Sequence, residues 1–317
     1  MKKSFLHRLK LGYSLYNFFN KKELYHNEVI YKQLGLKKKY YSSVSNTSFT
    51  NVRRPIVANA GINKAELASC QLYKQLSQEN KESLLAYDQN GFSIIRSYLS
   101  EKKVDEINTE IERLLEQKKV KFTYGNKIRF AVHVSPLLLN IGTHLKLKEL
   151  LCVLLGGNPM LFQSTNFLTG SQQASHSDSI HFTTYPLGGM IAVWIALEDI
   201  AEDNGPLHYY PGSHTLPYYL NANYGNEGNR FLIGNKSSED YEAMIRRKIE
   251  ELGMKQVKFT AKKGDLLLWH ANMVHGGDIH INKSKTRKSV VFHYFKENSV
   301  CYHEITQRPA LIKKKYS

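Results

Sequence analysis

Apolar and polar positions change period several times along this chain, and each change marks an element. After Ser100, the residues Val104, Ile107, Ile111, Leu114 and Leu115 recur at the spacing of one helix face, and Ser100 stands where an N-cap hydroxyl is needed. Residues 143–155 predict a second helix. Downstream the period shortens. Met190 to Leu197 and Leu266 to Trp269 are continuous apolar runs, the second entered by a Gly264-Asp265 turn, and such runs suit strands buried on both faces. Residues 286–295 are rich in β-branched and aromatic side chains and predict a further strand, with Arg287 and Ser289 on one face. Strands therefore extend from about Lys127 to about Glu297, interrupted by an excursion from His214 to Gly264. Within it, Tyr241, Ile245, Ile249 and Leu252 share one side of a helix predicted over 239–252. An insertion of this kind, residues 215–263, is expected to lie over a barrel mouth as a lid. No internal repeat or low-complexity tract appears.

The first sixty residues differ from the rest. Phe5, Leu9, Tyr13, Tyr16 and then Ile30, Tyr31 and Leu34 interleave with lysines, and a polar, turn-rich stretch follows at 43–52. The organisation expected is a basic, aromatic-rich appendage with its linker over 1–60 and a catalytic domain over 61–317, with a β core at about 127–297. Length and a 42% hydrophobic content allow one large core. Of the net +16, the first sixty residues contribute +10, with twelve Lys or Arg against Glu23 and Glu28, and Lys313, Lys314 and Lys315 add to the other end. Two readings of the appendage stay open: helices lying on an anionic membrane surface, and a solvated basic face packed on the barrel. Nucleic acid ranks lower, because no recognition motif accompanies the charge.

Three distant cysteines, Cys70, Cys152 and Cys301, with no C-x-x-C, point to a reducing compartment. No apolar run approaches a membrane span, and Arg8, Lys10 and Asn17 interrupt any secretory core. A cytoplasmic protein is expected, with peripheral contact at the inner face of a membrane as the extension of the first reading.

The chemistry centres on His176-Ser177-Asp178 and the distant His275. In a strand, positions i and i+2 point the same way, so His176 and Asp178 face one interior while Ser177 faces out. Two imidazoles and a carboxylate on one face of an octahedral ion leave the opposite face open for co-substrate and O2. His181 competes for the third place, since His176, Asp178 and His181 are close in sequence. His275 is preferred because a barrel brings distant strands together, whereas a short loop rarely presents three ligands to one metal face. Arg287 beside Ser289 is suited to the distal end of a dicarboxylate, which a guanidinium grips at both oxygens. His270, His280, His293 and His303 are read as ordinary core or surface residues.

With these residues go the strand end from Val193 to Asp199, Asn204-Gly205-Pro206-Leu207, Pro211-Gly212-Ser213-His214, and an entry segment from Tyr87 to Phe92. In this ordered set the chain resembles the phytanoyl-CoA dioxygenase family of Fe(II)/2-oxoglutarate-dependent oxygenases over about residues 80–300. The resemblance implies a mainly β fold, a double-stranded β-helix or jelly-roll of cupin type with helical N-terminal additions. It implies Fe(II) on His176, Asp178 and His275, 2-oxoglutarate and O2 as co-substrates, and Arg287, Ser289, Trp194 and Gln163 around the 2-oxoglutarate. Trp194 on its own is equally well a core residue. One departure stands out: family members often carry a hydroxyl residue two places after the distal histidine, where this chain has Gly277, and Ser289 is the expected substitute. Asp178 favours hydroxylation over halogenation, since related halogenases lack the carboxylate. The substrate implied is small or carrier- or lipid-linked, weakly favoured as anionic by the basic appendage. Two other classes remain: a cupin-like metalloenzyme that works without 2-oxoglutarate, and a catalytically idle jelly-roll acting as a membrane or partner module.

Overall fold

In a computed structural model the structure is described for residues 5–50, 52, 61–123 and 125–313. Lys2, Lys3, Arg53, Arg54, Lys314 and Lys315, part of the terminal charge noted above, lie outside the described residues. Thirteen strands occur in chain order: β1 Phe92–Ile95, β2 Phe122–Thr123, β3 Lys127–Arg129, β4 Pro159–Phe167, β5 Phe182–Tyr185, β6 Met190–Ala196, β7 Leu207–Tyr209, β8 Val257–Phe259, β9 Leu266–His270, β10 His275–Gly277, β11 Ser289–Lys296, β12 Val300–His303 and β13 Arg308–Pro309. They build a seven-stranded sheet in the order β1-β9-β6-β11-β4-β3-β2, faced by β10-β7-β8 and β13-β12-β5. Every named pairing is antiparallel. Two antiparallel layers with strands that cross between them are a jelly-roll.

Period two sorts the large sheet into two faces. Ile191, Val193 and Ile195 of β6, Leu266 and Leu268 of β9, and Val290, Phe292 and Tyr294 of β11 turn outward, into one core with Val104, Ile107, Ile111 and Leu114 of the helix Glu101–Glu116 and with Leu147, Leu150 and Leu151 of the helix Leu145–Leu155. Each fully buried side chain of this size contributes roughly 1.5–3 kcal/mol. The Tyr294 hydroxyl, buried there, donates to Gly142 O at 2.7 Å. Ser100 caps the first helix by accepting from Lys103 N. The second begins two residues later than predicted because Thr143 ends the preceding helix, Pro136–Gly142.

The turn into β9 shows why its sequence is Gly-Asp. Gly264 has φ +91°, and a Cβ there would lie 2.2 Å from Leu99 O. Asp265 accepts from Ser97 N and Lys262 N and pairs with Arg96 at 2.6 Å. The excursion carries the helix Ser238–Glu251, begun by a Ser237/Asp240 capping box, with Tyr241, Ile245 and Ile249 buried against Ile180, Tyr210 and Val274. Leu252, expected on that side, follows the last turn and is exposed.

Residues 43–50 and 52 pack rather than span. Val44 and Phe49 join Ile30, Tyr31 and Leu34 against Val300 and Tyr302 of β12, and the Phe49 ring stacks on Tyr185 at 4.2 Å. This part of the appendage is thus held on the barrel. No helix of the described residues is long and apolar enough to cross a membrane.

Candidate metal centre and co-substrate pocket

His176 and His275 are neighbours through the backbone. Each N–H donates to the other's carbonyl at 2.9 Å, an isolated antiparallel bridge that brings the two segments together. Each ring Nδ1 lies against a carbonyl two residues back, Ala174 O at 2.8 Å and Met273 O at 3.0 Å. A carbonyl only accepts, so both Nδ1 atoms carry the proton and both Nε2 lone pairs are left for a metal. Asp178 opens a short 3-10 turn, Asp178–Ile180, instead of continuing a strand. It still faces the histidines: Oδ1 is 3.8 Å from His275 Nε2, and one ligand atom from each of the three residues lies within 4.8 Å of the others. His181 lines the same cavity with its ring 5.5 Å from His176, but among the described residues it is not part of this group.

Electrostatics suit a cation. Burial pushes His176 well below the usual imidazole range, with His275 adding to the effect. Burial would raise Asp178, but the imidazoles of His275, His293 and His176 outweigh it and hold the carboxyl well below its ordinary value. A carboxylate and two imidazoles with free Nε2 are a hard-to-intermediate donor set that fits ferrous iron. The second oxygen, Asp178 Oδ2, accepts from Trp269 Nε1 at 2.9 Å. His293 Nε2 lies 3.7 Å from the same oxygen, and the Gln163 amide meets His293 Nδ1 at 3.2 Å. His293, read from sequence as an ordinary residue, therefore belongs to the centre.

The inner face of the large sheet carries the rest. Lys127 of β3, Phe167 of β4, Ser289 of β11 and Ala196 of β6 form one rung, and Arg129, Thr165, Val291 and Trp194 form the next. Arg287, just before β11, is 1% exposed and lies with its Cζ 5.2 Å from the Trp194 ring. Its Nε donates to Gly205 O at 3.1 Å and its Nη1 to Ser289 Oγ at 2.8 Å. Its Nη2 and Trp194 Nε1 are buried with no hydrogen-bond partner among the described residues. Nor does any described carboxylate come within 4.0 Å of the guanidinium, which burial pushes down to about 10. A buried, unpaired cation costs several kcal/mol, so these donors fit the distal carboxylate of 2-oxoglutarate.

Gly277 has a local explanation. A Cβ there would meet Ser171 Oγ at 2.7 Å, so a serine from another loop occupies the space of a side chain at 277. Ser171 also lines the cavity, of about 630 Å³, together with the metal group, Arg287, Trp194, Gln163 and His293. Ser289 touches Arg287 instead. Trp269, His293 and Ser171 were missed in the sequence, although a buried indole N–H usually finds an acceptor.

The sequence profile of the family described as Phytanoyl-CoA dioxygenase (PhyH) matches residues 87–289, well over half of the chain. This chain belongs to the phytanoyl-CoA dioxygenase family. Among curated relatives of this family member, an ectoine dioxygenase of Nocardia farcinica is 29% identical over 222 residues, 62% of this chain and 72% of that one. Phytanoyl-CoA dioxygenase domain-containing protein 1 of Danio rerio is 30% identical over 183 residues, 55% of this chain and 59% of that protein, so little more than half of that relative is matched. Among solved structures, the non-heme alpha ketoglutarate dependent carbocyclase SnoK from nogalamycin biosynthesis matches with a TM-score of 0.58 at 18% identity, over 75% of this chain and 89% of that one. EctD from S. alaskensis, solved with 2-oxoglutarate and 5-hydroxyectoine, matches with a TM-score of 0.53 at 19% identity, over 77% and 81%. Such identities speak for the shared jelly-roll. The family itself places this chain among the dioxygenases in class, and the donors described above fit iron and 2-oxoglutarate.

Proposed function

We propose that the chain hydroxylates an aliphatic C–H bond of a small anionic substrate, with Fe(II) on His176, Asp178 and His275 and the distal carboxylate of 2-oxoglutarate on Arg287, releasing succinate and CO2. Arg287 is the observation that carries this reading: a buried guanidinium with one nitrogen that, among the described residues, has no partner, beside an indole N–H that has none either. Iron, 2-oxoglutarate and O2 supply the oxidising power when bound. The chain's own residues bind, orient and exclude water. Ala174 and Met273 fix the imidazole tautomers, and Trp269 holds Asp178 with one oxygen turned to the centre. Gly205 and Ser289 leave the Arg287 fork a single direction in which to reach a ligand. Phe167, Val291 and Leu207 give the cavity apolar walls that keep water away from the reacting carbon.

Lys127 and Arg129 support an anionic substrate. Both line the cavity from the inner face of β3, and no described carboxylate lies within 4.0 Å of either. Lys127 Nζ donates to the neutral Gln173 Oε1 at 2.7 Å. Ser238, Glu239 and Glu242 of the excursion helix line the cavity from the other side, which supports the lid role. A lipid- or carrier-linked form of the substrate, met at the inner face of a membrane, belongs to the same proposal, supported by the apolar side chains that the N-terminal helix turns to solvent.

The test is succinate release from 2-oxoglutarate by the iron-loaded protein in air. Arg287→Met is expected to raise the KM for 2-oxoglutarate roughly 30- to 1000-fold, the equivalent of the ~2–4 kcal/mol that a buried charge-assisted pair is worth. An unchanged KM would favour a cupin-like metalloenzyme without 2-oxoglutarate. No succinate from the wild type would favour an idle jelly-roll.

A further inference from the structure

The helix Lys10–Phe19 is docked inside out. A surface helix normally turns its apolar stripe to the core. Here the residue facing inward is Asn17, buried and donating to Ser43 Oγ at 3.3 Å, while Tyr13 and Tyr16 lie over the Arg308 guanidinium at 5.6 and 4.7 Å. The apolar stripe of Leu11, Leu15, Phe18 and Phe19 faces solvent, with Leu11 69% and Phe19 79% exposed. Phe5 and Leu6 extend it on the preceding turn, and both are exposed.

The rim of this patch is aromatic and basic. Phe18 meets Phe19 and Tyr41 edge to face, with ring centroids 5.7 and 6.0 Å apart. Lys21 Nζ lies 5.1 Å from the Phe18 ring centre and Lys39 Nζ 5.8 Å from that of Tyr41. Over residues 5–50 eight Lys or Arg stand against Glu23 and Glu28, and Glu28 is already paired with Lys32 at 3.1 Å. Aromatic rings with lysines folded over them keep an apolar body low and a charged head high, the habit of side chains at a membrane–water boundary.

We infer that this face docks on an anionic bilayer surface, inserting Leu11, Leu15, Phe18 and Phe19 among the lipid headgroups while the surrounding lysines meet lipid phosphates and carboxylates. Both halves of the pattern are used, the apolar stripe by the acyl boundary and the charge by the anionic headgroups. A second copy of the chain is the poorer occupant, since a self-complementary contact through this patch would set Lys21, Lys22 and Lys39 against their own like charges.

The docking face is joined to the cavity by backbone hydrogen bonds. Leu9 bridges Leu232, Lys10 N donates to Phe231 O at 2.9 Å, and Ile233 N donates to Arg8 O at 2.9 Å. Phe231 is itself exposed beside the patch. From Ile233 the chain runs directly into the helix Ser238–Glu251, whose first turns line the cavity. One short segment thereby joins the docking face to the wall of the cavity. The docking itself is independent of the oxidation chemistry proposed above.

Sedimentation with vesicles separates the outcomes. The full chain is expected to pellet with vesicles of phosphatidylcholine and phosphatidylserine and to stay in solution with phosphatidylcholine alone. Leu15→Glu with Phe19→Glu, two exposed positions outside the catalytic machinery, should weaken this binding roughly tenfold or more and leave Tm and vesicle-free succinate release unchanged. Lys21→Gln with Lys22→Gln should weaken it about fivefold per lysine, the fold-change of ~1 kcal/mol. Wild-type protein that stays in solution with both vesicle types overturns the inference. So does a Leu15→Glu/Phe19→Glu variant that pellets like the wild type, or a wild-type dimer in light scattering that this variant abolishes.

Discussion

The two faces of the seven-stranded sheet are made by alternate residues of the same strands, yet they are built on different terms. On β11, Val290, Phe292 and Tyr294 go outward into a continuous apolar core, while Ser289, Val291 and His293 go inward toward the cavity. On β6 the same alternation sends Ile191, Val193 and Ile195 out and Ala192, Trp194 and Ala196 in. The outer face is apolar but for a few small polar side chains, among them Asn166, whose buried amide has no hydrogen-bond partner among the described residues. The inner face leaves Arg287 Nη2 and Trp194 Nε1 without partners among the described residues, sets Lys127 beside Arg129, and gathers imidazoles around a carboxylate. Charged and titratable groups gathered at one cavity are retained when a ligand completes them, so it is this clustering, on the inner face, that separates what holds the fold from what it is for.

Substitutions that divide the two faces sharpen this contrast. The largest effect is expected outside: Phe292→Ala opens a cavity beneath Gly142 and should cost roughly 3–5 kcal/mol in denaturant unfolding, with the KM for 2-oxoglutarate unchanged in the folded fraction. A large loss of 2-oxoglutarate affinity there would blur the division. Inside, a substitution is expected to stabilise. Burial, with Arg129 adding to it, pushes Lys127 down to about 8 from an ordinary lysine value. The folded state therefore holds fewer protons than the unfolded one between about pH 8 and the ordinary lysine pKa. Stability carries the full penalty below pH 8 and recovers as pH rises through that window. Lys127→Met should thus gain roughly 1–2 kcal/mol at neutral pH, discounted for partial exposure, and lose that advantage by about pH 10.5. A variant less stable than wild type at pH 7 would mean that Lys127 belongs to the scaffold. The smallest effect is Trp269→Phe, which keeps the bulk and removes the N–H on Asp178. Iron affinity should fall about tenfold with little change in Tm, and an unaltered affinity would leave the indole a packing residue only.

Much of this division was visible in the sequence. Continuous apolar runs marked β6 and β9, the period-four stripe marked the helix after Ser100, and His176, Asp178, His275 and Arg287 stood in an order that one barrel brings together. The unseen parts depended on partners far away in the chain. β1 is four residues long and becomes a strand by pairing with β9. Asp178 reaches the centre from a 3-10 turn, where strand alternation does not apply. His293 faces inward opposite Gln163, at the point where the register between β4 and β11 slips. Ser171 fills the place beside Gly277 from a separate loop, which spacing along the chain does not encode. The N-terminal stripe was visible as a pattern, but its orientation was decided by Asn17 and Arg308.

The most direct test is anaerobic titration of the purified protein with Fe(II) and then 2-oxoglutarate, followed in the visible range. Our account predicts a weak charge-transfer band that saturates at one 2-oxoglutarate per iron, the signature of a keto acid chelated to a ferrous ion. Iron that binds without any such band at saturating 2-oxoglutarate, or no iron binding at all, would contradict it.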